Sequence, residues 1–513
     1  MAKVNIGIDD MSLYIPKLYL SIEDLAKARN IEYEKLSLGL GLHKMASPDV
    51  HEDPATMAAN AVSEIIEKNN LDPRAIGRIY LGTESALDGS KPTATYLLEM
   101  LRRKYKDIYG VDCFTHCDVV DLTFACIGGV DALHNTLDWI RVNPDRIGIV
   151  VCADFAKYDL ASTGEYTQGA GAVAMLVKKE PRLLVIPDRI GVATQGVHDF
   201  FKPKRKATKE QLVDEVLKLA GITHLTAADV LDKLPATLDV KGILDDNEDE
   251  IGISKETPIY DGPYSNWTYQ NRIREAYQHF RTQAEEAGDL REQSAVIDAW
   301  ARLIFHLPYA FHGKRVFPEI FMLEQKVNGK WEILAAQNML VEPDRNEFES
   351  EAAYENAYAG FLKNVGKTGA YRSFVSEKME KAQRASSEIG NMYSCSIFLA
   401  LISSLHYDMA ANVDLAGQPI GFLSYGSGSK SKVFEGIIQE GWQEVVKGIR
   451  LMEKLDQRMQ LDYATYEQIH TKKRTQSVVP PQGEFAIEKI GAEGTRLGAR
   501  YYQWIASKVA VAY

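Results

Sequence analysis

Three side chains in this sequence have the types and the placement for thioester chemistry. Cys126 sits in "VVDLTFACIGGVDALHNTLDWI", residues 119–140. Val119, Val120 and Leu122 read as the end of a strand, and Val130, Leu133, Leu137 and Ile140 then recur at helical spacing. A thiol where a strand hands over to a helix feels backbone N–H groups and the positive end of the helix dipole, which favours thiolate. The same N–H groups can hold an oxyanion. Ala125, Gly128 and Gly129 leave room for a substrate carbonyl to approach. A buried structural cysteine is the alternative for this segment alone.

Possible partners share that placement. Glu84 ends "RIYLGTE", Asp154 ends "IGIVVCAD", His306 ends "LIFH", and Ser424 lies near the end of "IGFLS". In open α/β sheets, sites gather at the carboxyl ends of strands. The set suggests Cys126 as nucleophile, Glu84 as acid/base and His306 as the group that polarises a carbonyl. Taken singly, Glu84 reads equally as a surface carboxylate and His306 as a core imidazole.

The elements that must position these groups alternate along the chain. "RIYLGTES" (78–85) is a strand running into a turn, and "TATYLLEMLRRKY" (93–105) is an amphipathic helix. "RIGIVVCAD" (146–154) and "GAGAVAMLVKK" (169–179) are buried strands by their continuous apolar runs. A polar stretch over about 204–256 reads as an insertion with a helix near "QLVDEVLKLA". A second series follows: a long helix from "NWTYQNRIREAYQHF", then a strand and a helix in "DAWARLIFHLPYAFHGKRVF". A second polar interruption covers about 326–350, before the buried helix "MYSCSIFLALISSLHYD" and the strand–turn–strand "GQPIGFLSYGSGSKSKVFEG". The tail beyond about 440 is mixed and charged. Such alternation argues for α/β layers.

Composition narrows the function classes. The chain has 513 residues and a formal charge of -12, which suits neither nucleic acid nor an anionic membrane. No apolar run reaches membrane-spanning length and no secretory signal is visible, so a cytoplasmic protein is expected. The five cysteines are sparse and odd in number, against a disulfide framework. Cys113, His116 and Cys117 lack a second ligand pair and lie in a segment read as a strand, so no metal is expected. "GAGAVA" at 169–174 has the letters of a dinucleotide fingerprint but precedes a strand, and its small residues fit close strand packing. "GFLKNVGKT" at 360–368 misses the phosphate-loop spacing. Lys202, Lys204, Arg205 and Lys206 read as solvated surface, with a phosphate contact as the alternative.

The pieces "GIDDMSLYIPKLYL", "GTESALDGSK", "ACIGGVDAL", "GEYTQGAGAVAM", "HDFFKP", "YDGPYSNWTY", "FHLPY", "GNMYSCS" and "SYGSGS" occur in an order that is specific as a set. Through them the chain resembles the 3-hydroxy-3-methylglutaryl-CoA (HMG-CoA) synthase family of the thiolase superfamily. The resemblance implies a thiolase-like fold, two similar α/β halves forming αβαβα layers, usually in a homodimer. Residues 1–180 would form the half with Glu84 and Cys126, 181–440 the half with His306 and both insertions, and 441–513 a C-terminal extension. It implies that Cys126 takes an acetyl group from acetyl-CoA, that Glu84 removes a methyl proton, and that His306 hydrogen-bonds acetoacetyl-CoA. Asp154, Thr167, Asp199, Ser265, Tyr269, Asn391 and Ser424 match positions lining the acyl groups. No resident cofactor is implied, since the CoA thioesters are substrates.

The chain also departs from the family. Ile127 follows the cysteine where an aromatic residue is common, and Phe124 stands where a polar residue is common. After His-x-Pro-aromatic the family tends to carry a lysine that meets CoA phosphate; here Phe311 and His312 come first, with Lys314 and Arg315 later. Lys314 is the expected phosphate contact. The competing reading is a polyketide β-branching synthase acting on an acyl carrier protein. A ketoacyl synthase has no use for Glu84, and a thiolase would need Cys395 as a second catalytic thiol. A non-catalytic acyl-binding scaffold is the alternative from another class.

Overall fold

The run Gly169–Lys179 is apolar almost throughout because both of its faces are covered. Its first nine residues are buried, and it pairs antiparallel with Ile6–Tyr14 on one side and Ile147–Ala156 on the other. A strand enclosed in this way shows no polar alternation. The structure is a computed structural model that describes residues 4–233, 249–290 and 293–507.

Among the described residues ten strands form one mixed sheet. In chain order they are β1 (Ile6–Tyr14), β2 (Ile76–Gly82), β3 (Asp118–Leu122), β4 (Ile147–Ala156), β5 (Gly169–Lys179), β6 (Leu184–Val185), β7 (Ile190–Thr194), β8 (Arg302–Phe305), β9 (Pro419–Gly426) and β10 (Lys430–Ile438). The order across the sheet is β8-β9-β10-β6-β1-β5-β4-β2-β3, with β7 beside β10. Strand β6 pairs with β1 and with β10, joining the part built by residues 6–179 to the part built by the second series. Strands β2, β3 and β4 run parallel, as do β8 and β9. The carboxyl ends of β2, β3 and β8 deliver the loops that carry Glu84, Cys126 and His306.

Helices cover the sheet: α1 (Pro54–Lys68), α2 (Thr93–Tyr109), α3 (Gly128–Val142), α4 (Gly262–Glu286) and α5 (Ser396–Ala410). Helix α1 starts on a capping box between Asp53 and Thr56, with Pro54 in its first turn, and packs on β1, β4 and β5. The spacing read for α3 is the buried one, since Val130, Leu133, Leu137 and Ile140 are all fully enclosed. Helix α5 is buried from Ser396 to Leu405 without a break, as expected of a helix with no solvated face.

Two expectations change. Residues 111–116 form turns and not a strand; strand β3 begins only at Asp118. Cys113 is buried there, its thiol directed at the Arg102 carbonyl. The second polar interruption is largely helical, with helices Pro318–Val327 and Trp331–Asn338, the latter burying Trp331 and Leu334. In the first insertion, Arg205–Thr208 pairs antiparallel with Glu250–Ile253 and frames helix Lys209–Leu219; residues 234–248 lie outside the described ones.

The tail packs back on the body. Helix α6 (Tyr463–His470) precedes a hairpin of β11 (Glu484–Ile490) and β12 (Arg500–Ile505). Glu484 accepts from the Tyr14 hydroxyl at 2.9 Å and pairs with Lys17. Tyr14 also donates to Glu52 at 2.6 Å, and Glu52 accepts the Asp49 N–H at 2.7 Å. Burial pushes the Glu52 carboxyl up to about 7, against the hydrogen bonds that favour its ionised form. Among the described residues no helix is long and apolar enough to cross a membrane.

Candidate active site

The small residues around Cys126 answer to backbone packing. A Cβ added to Gly82 would lie 2.3 Å from the Gly129 nitrogen, and one added to Gly128 would lie 2.5 Å from the Leu122 carbonyl oxygen. A Cβ on Gly129 would sit 2.3 Å from the Cys152 sulfur. The glycines therefore let the amino end of α3 rest directly on β2 and β3. Ala125 has φ +43°, an uncommon conformation for a residue with a side chain. That turn presents Cys126 two residues before the helix begins.

The Cys126 thiol donates to Glu84 Oε1 at 2.6 Å. Burial, and then the charge of Glu84, raise the thiol well above its ordinary pKa. This corrects the expectation that the helix end favours thiolate: desolvation and an adjacent carboxylate outweigh it, and the resting sulfur keeps its proton. Burial also pushes Glu84 up, Lys202 pulls it down, Asp154 pushes it up, and the net position is about 7. Behind the pair, Asp154 is completely enclosed. Its Oδ1 accepts the Glu84 N–H at 2.8 Å and the Thr83 hydroxyl at 2.9 Å. Its Oδ2 accepts the Ser394 N–H at 3.0 Å and the Ser394 hydroxyl. Asp154 thus ties the loop after β2 to the loop before α5.

His306 follows β8 directly. Its N–H donates to the Leu423 carbonyl at 3.2 Å, and its own carbonyl accepts the Tyr269 hydroxyl at 2.7 Å. The ring is buried and, among the described residues, its Nδ1 has no partner. Burial lowers it to about 3, so the imidazole is neutral. His312 is also buried, with neither ring nitrogen partnered, and burial followed by the neighbouring His306 lowers it to about 3. The Tyr269 ring meets His312 edge-on at 4.3 Å.

Cys126 and His306 open into one cavity of about 420 Å³. Of the other expected residues, Thr167, Ser265, Tyr269 and Asn391 line it. Glu84 lies behind the sulfur and is not itself in the lining, nor are Asp154 and Asp199. Asp199, fully enclosed, accepts the Tyr425 hydroxyl at 2.6 Å and the Gly428 N–H at 2.8 Å, and so braces the turn after β9. Ser424 donates to the Lys432 carbonyl inside the β9–β10 ladder, away from the cavity; Tyr425 and Ser427 of the same motif face it instead. The Lys314 ammonium lies over the Phe311 ring at 3.2 Å, and Arg315 takes the place in the lining expected of Lys314.

Sequence reasoning missed other residues. Tyr158, Phe200, Tyr260 and Tyr393 make an aromatic wall beside Cys126. Gln168 Oε1 holds the Tyr158 N–H at 2.8 Å, and Gln168 Nε2 donates to the Tyr466 hydroxyl of α6 at 2.6 Å. His470 Nε2 lies 2.9 Å from the Tyr158 carbonyl, so the tail backs this wall. Lys202, read as surface, donates to the Glu84 carbonyl at 3.2 Å. The motifs "SYGSGS" and "HDFFKP" carry a signal for Ser427 and Lys202, whereas no feature of the sequence marks Tyr158 or His470.

Models of the hydroxymethylglutaryl-coenzyme A synthase N-terminal and C-terminal regions match residues 2–181 and 251–488. The hydroxymethylglutaryl-CoA synthase of Haloferax volcanii is 27% identical, over 98% of this chain and 99% of that protein. That of Enterococcus faecalis is 28% identical, over 90% of this chain and 91% of its own length. A solved structure of MvaS in complex with 3-hydroxy-3-methylglutaryl coenzyme A superimposes with a TM-score of 0.73 at 26% identity, covering 98% of this chain and all of that one. The HMG synthase of the curacin biosynthetic pathway shares the fold with a TM-score of 0.68 at 18% identity, again over 98% of this chain and 100% of that one.

Proposed function

This chain belongs to the hydroxymethylglutaryl-CoA synthase family, and on that premise we propose how its residues carry the condensation of acetyl-CoA with acetoacetyl-CoA. The products are HMG-CoA and free CoA, and we read the chain as serving isoprenoid precursor synthesis. Cys126 gives its proton to Glu84 as the sulfur attacks the acetyl carbonyl, and Glu84 passes that proton to the departing CoA sulfur as the tetrahedral adduct collapses, so that CoA leaves as the free thiol. Glu84 is then a carboxylate again, the acetylated sulfur has no hydrogen left to donate to it, and it is free to take a methyl proton. The enolate carbon bonds to the ketone carbon of acetoacetyl-CoA, whose oxygen is hydrogen-bonded by neutral His306. The proton on Glu84 returns to that alkoxide. Water then cleaves the thioester to Cys126, releasing HMG-CoA and the free thiol.

The observation that carries this reading is the 2.6 Å contact between the Cys126 sulfur and Glu84 Oε1, in a cavity that His306 shares. A thiol nucleophile needs a base within hydrogen-bond reach, and the same base serves the second proton transfer. The test is to supply acetyl-CoA and acetoacetyl-CoA together and measure free thiol and HMG-CoA. Thiol release without HMG-CoA would reduce the chain to an acetyl-CoA hydrolase.

One observation favours a second reading for the acceptor. Phe311 stands where the family tends to carry a phosphate-binding lysine, and carrier-bound substrates need no contact to a CoA nucleotide. Comparing acetoacetyl-CoA with acetoacetyl-carrier protein in steady state decides between them. We read the halves as residues 1–180 and 181–440 with the remainder as an extension, and the protein as a cytoplasmic homodimer. Edge strand β3, with half-exposed Val120, supports self-association, and light scattering tests it.

A further inference from the structure

Lys202 is a cation of the catalytic neighbourhood that the reaction above does not use. It follows the short strand Phe200–Phe201, which pairs with Ile259–Tyr260 and so fixes where the next side chain goes. Its ammonium donates to the Glu84 carbonyl oxygen at 3.2 Å and lies over the Tyr393 ring at 5.0 Å. It is half-buried, and among the described residues it makes no ion pair. No described carboxylate therefore neutralises its charge at contact distance.

The surroundings make that charge consequential. The groups facing Glu84 are the Cys126 thiol from the turn before α3, Asp154 from β4, Asp199 and Lys202 from the segment after β7, and the phenols of Tyr158 and Tyr393. Two of these are acids and one is a cation. As Cys126 passes its proton to Glu84, the pair keeps one negative charge in this enclosed space. It exists as thiolate in the first half-reaction and as carboxylate in the second. An opposite charge at close range is what permits it.

We propose that Lys202 is a positioning residue for Glu84, holding the Glu84 main chain by its carbonyl and supplying the counter-charge for the negative Cys126–Glu84 pair. This rests on the assignment of Cys126 and Glu84 as the reacting pair. It differs from a phosphate contact, because Lys202 turns inward to the base and not outward to a nucleotide.

The test uses Lys202→Met and Lys202→Arg in the full chain, with Lys202→Gln as a second neutral variant should Met impair folding. The first readout is the pH dependence of Cys126 alkylation by iodoacetamide, which requires no substrate. Loss of the cation should move the midpoint upward by about one to three pH units, the range for an opposite charge at close range. Lys202→Arg should restore most of the wild-type profile. The second readout, HMG-CoA formation, should show the same upward displacement. A neutral variant with the wild-type alkylation profile would overturn the proposal, as would an arginine variant as displaced as the neutral ones. A wild-type protein that alkylates normally and makes no HMG-CoA would overturn the functional reading alone, and alkylation would still judge Lys202.

Discussion

The Tyr269 hydroxyl donates to the main-chain carbonyl of His306 at 2.7 Å, so the phenol fixes the backbone of the histidine and leaves its ring unengaged. A buried imidazole nitrogen without a partner is costly unless something arrives to meet it. The neutral ring is a hydrogen-bond partner waiting for a substrate oxygen.

His306→Ala should leave acetylation by acetyl-CoA nearly intact and weaken acetoacetyl-CoA. A hydrogen bond between two neutral groups is worth roughly 0.5–1.5 kcal/mol, or up to about one power of ten in affinity. Acetylation rate, acetoacetyl-CoA affinity and melting temperature on one variant separate the roles. Equal loss of both half-reactions with a large fall in melting temperature would mark the histidine as structural.

Cys126→Ser should carry no label after incubation with radiolabelled acetyl-CoA. Label that persists, or that maps to Cys395, would move the nucleophile elsewhere. Cys395 is fully enclosed, with its thiol directed at the Gly171 carbonyl, and is badly placed for that role.

For Glu84→Ala the expectation is an enzyme slowed by about 10²–10⁴-fold in condensation, the usual contribution of a general base. Because Glu84 is held near 7, the wild-type condensation rate should rise with pH through that value and then level. A rate independent of pH between about 5 and 9 would remove Glu84 as the base.

Arg315 lines the cavity and donates to the Gly39 carbonyl at 2.7 Å, while Lys314 is turned onto Phe311. Arg315→Ala should therefore raise KM for CoA thioesters more than Lys314→Ala does, and the difference should shrink at high salt. The reverse order in steady-state kinetics would restore the sequence expectation.

Much of the frame was legible. The spacing of Val130, Leu133, Leu137 and Ile140 fixes the buried face of α3, and the run 169–179 is the strand at the middle of the sheet. Glu84 and His306 are legible as candidates because each follows a strand end. What failed turns on single-residue steps. Neighbours in a strand point to opposite faces, so Ser424 enters the ladder while Tyr425 reaches the cavity. A helical step of one residue likewise exchanges Lys314 for Arg315. Lys202 was illegible for another reason: in sequence it heads a run of exposed cations, and only the pairing of Phe200–Phe201 turns it inward.

Glu52 gives a test of the tail's anchorage. A carboxyl held at about 7 in the fold but at its ordinary 4.5 when unfolded favours the folded state while protonated. That stability is full below about 4.5, declines as pH rises toward 7, and is gone above it. Glu52→Gln stays uncharged, so its melting temperature should gain on the wild type between pH 5 and pH 8. A difference that does not vary over that interval in thermal melts would contradict the assignment.

The backing of Tyr158 by Gln168, Tyr466 and His470 has a consequence in time. A ribosome finishes the sheet, the nucleophile and the histidine well before it reaches α6. The nascent chain can hold its core while one wall beside its cysteine still lacks support. Catalytic competence is thus expected to lag behind folding during synthesis, and the reactive thiol acquires its final enclosure only when the closing residues dock.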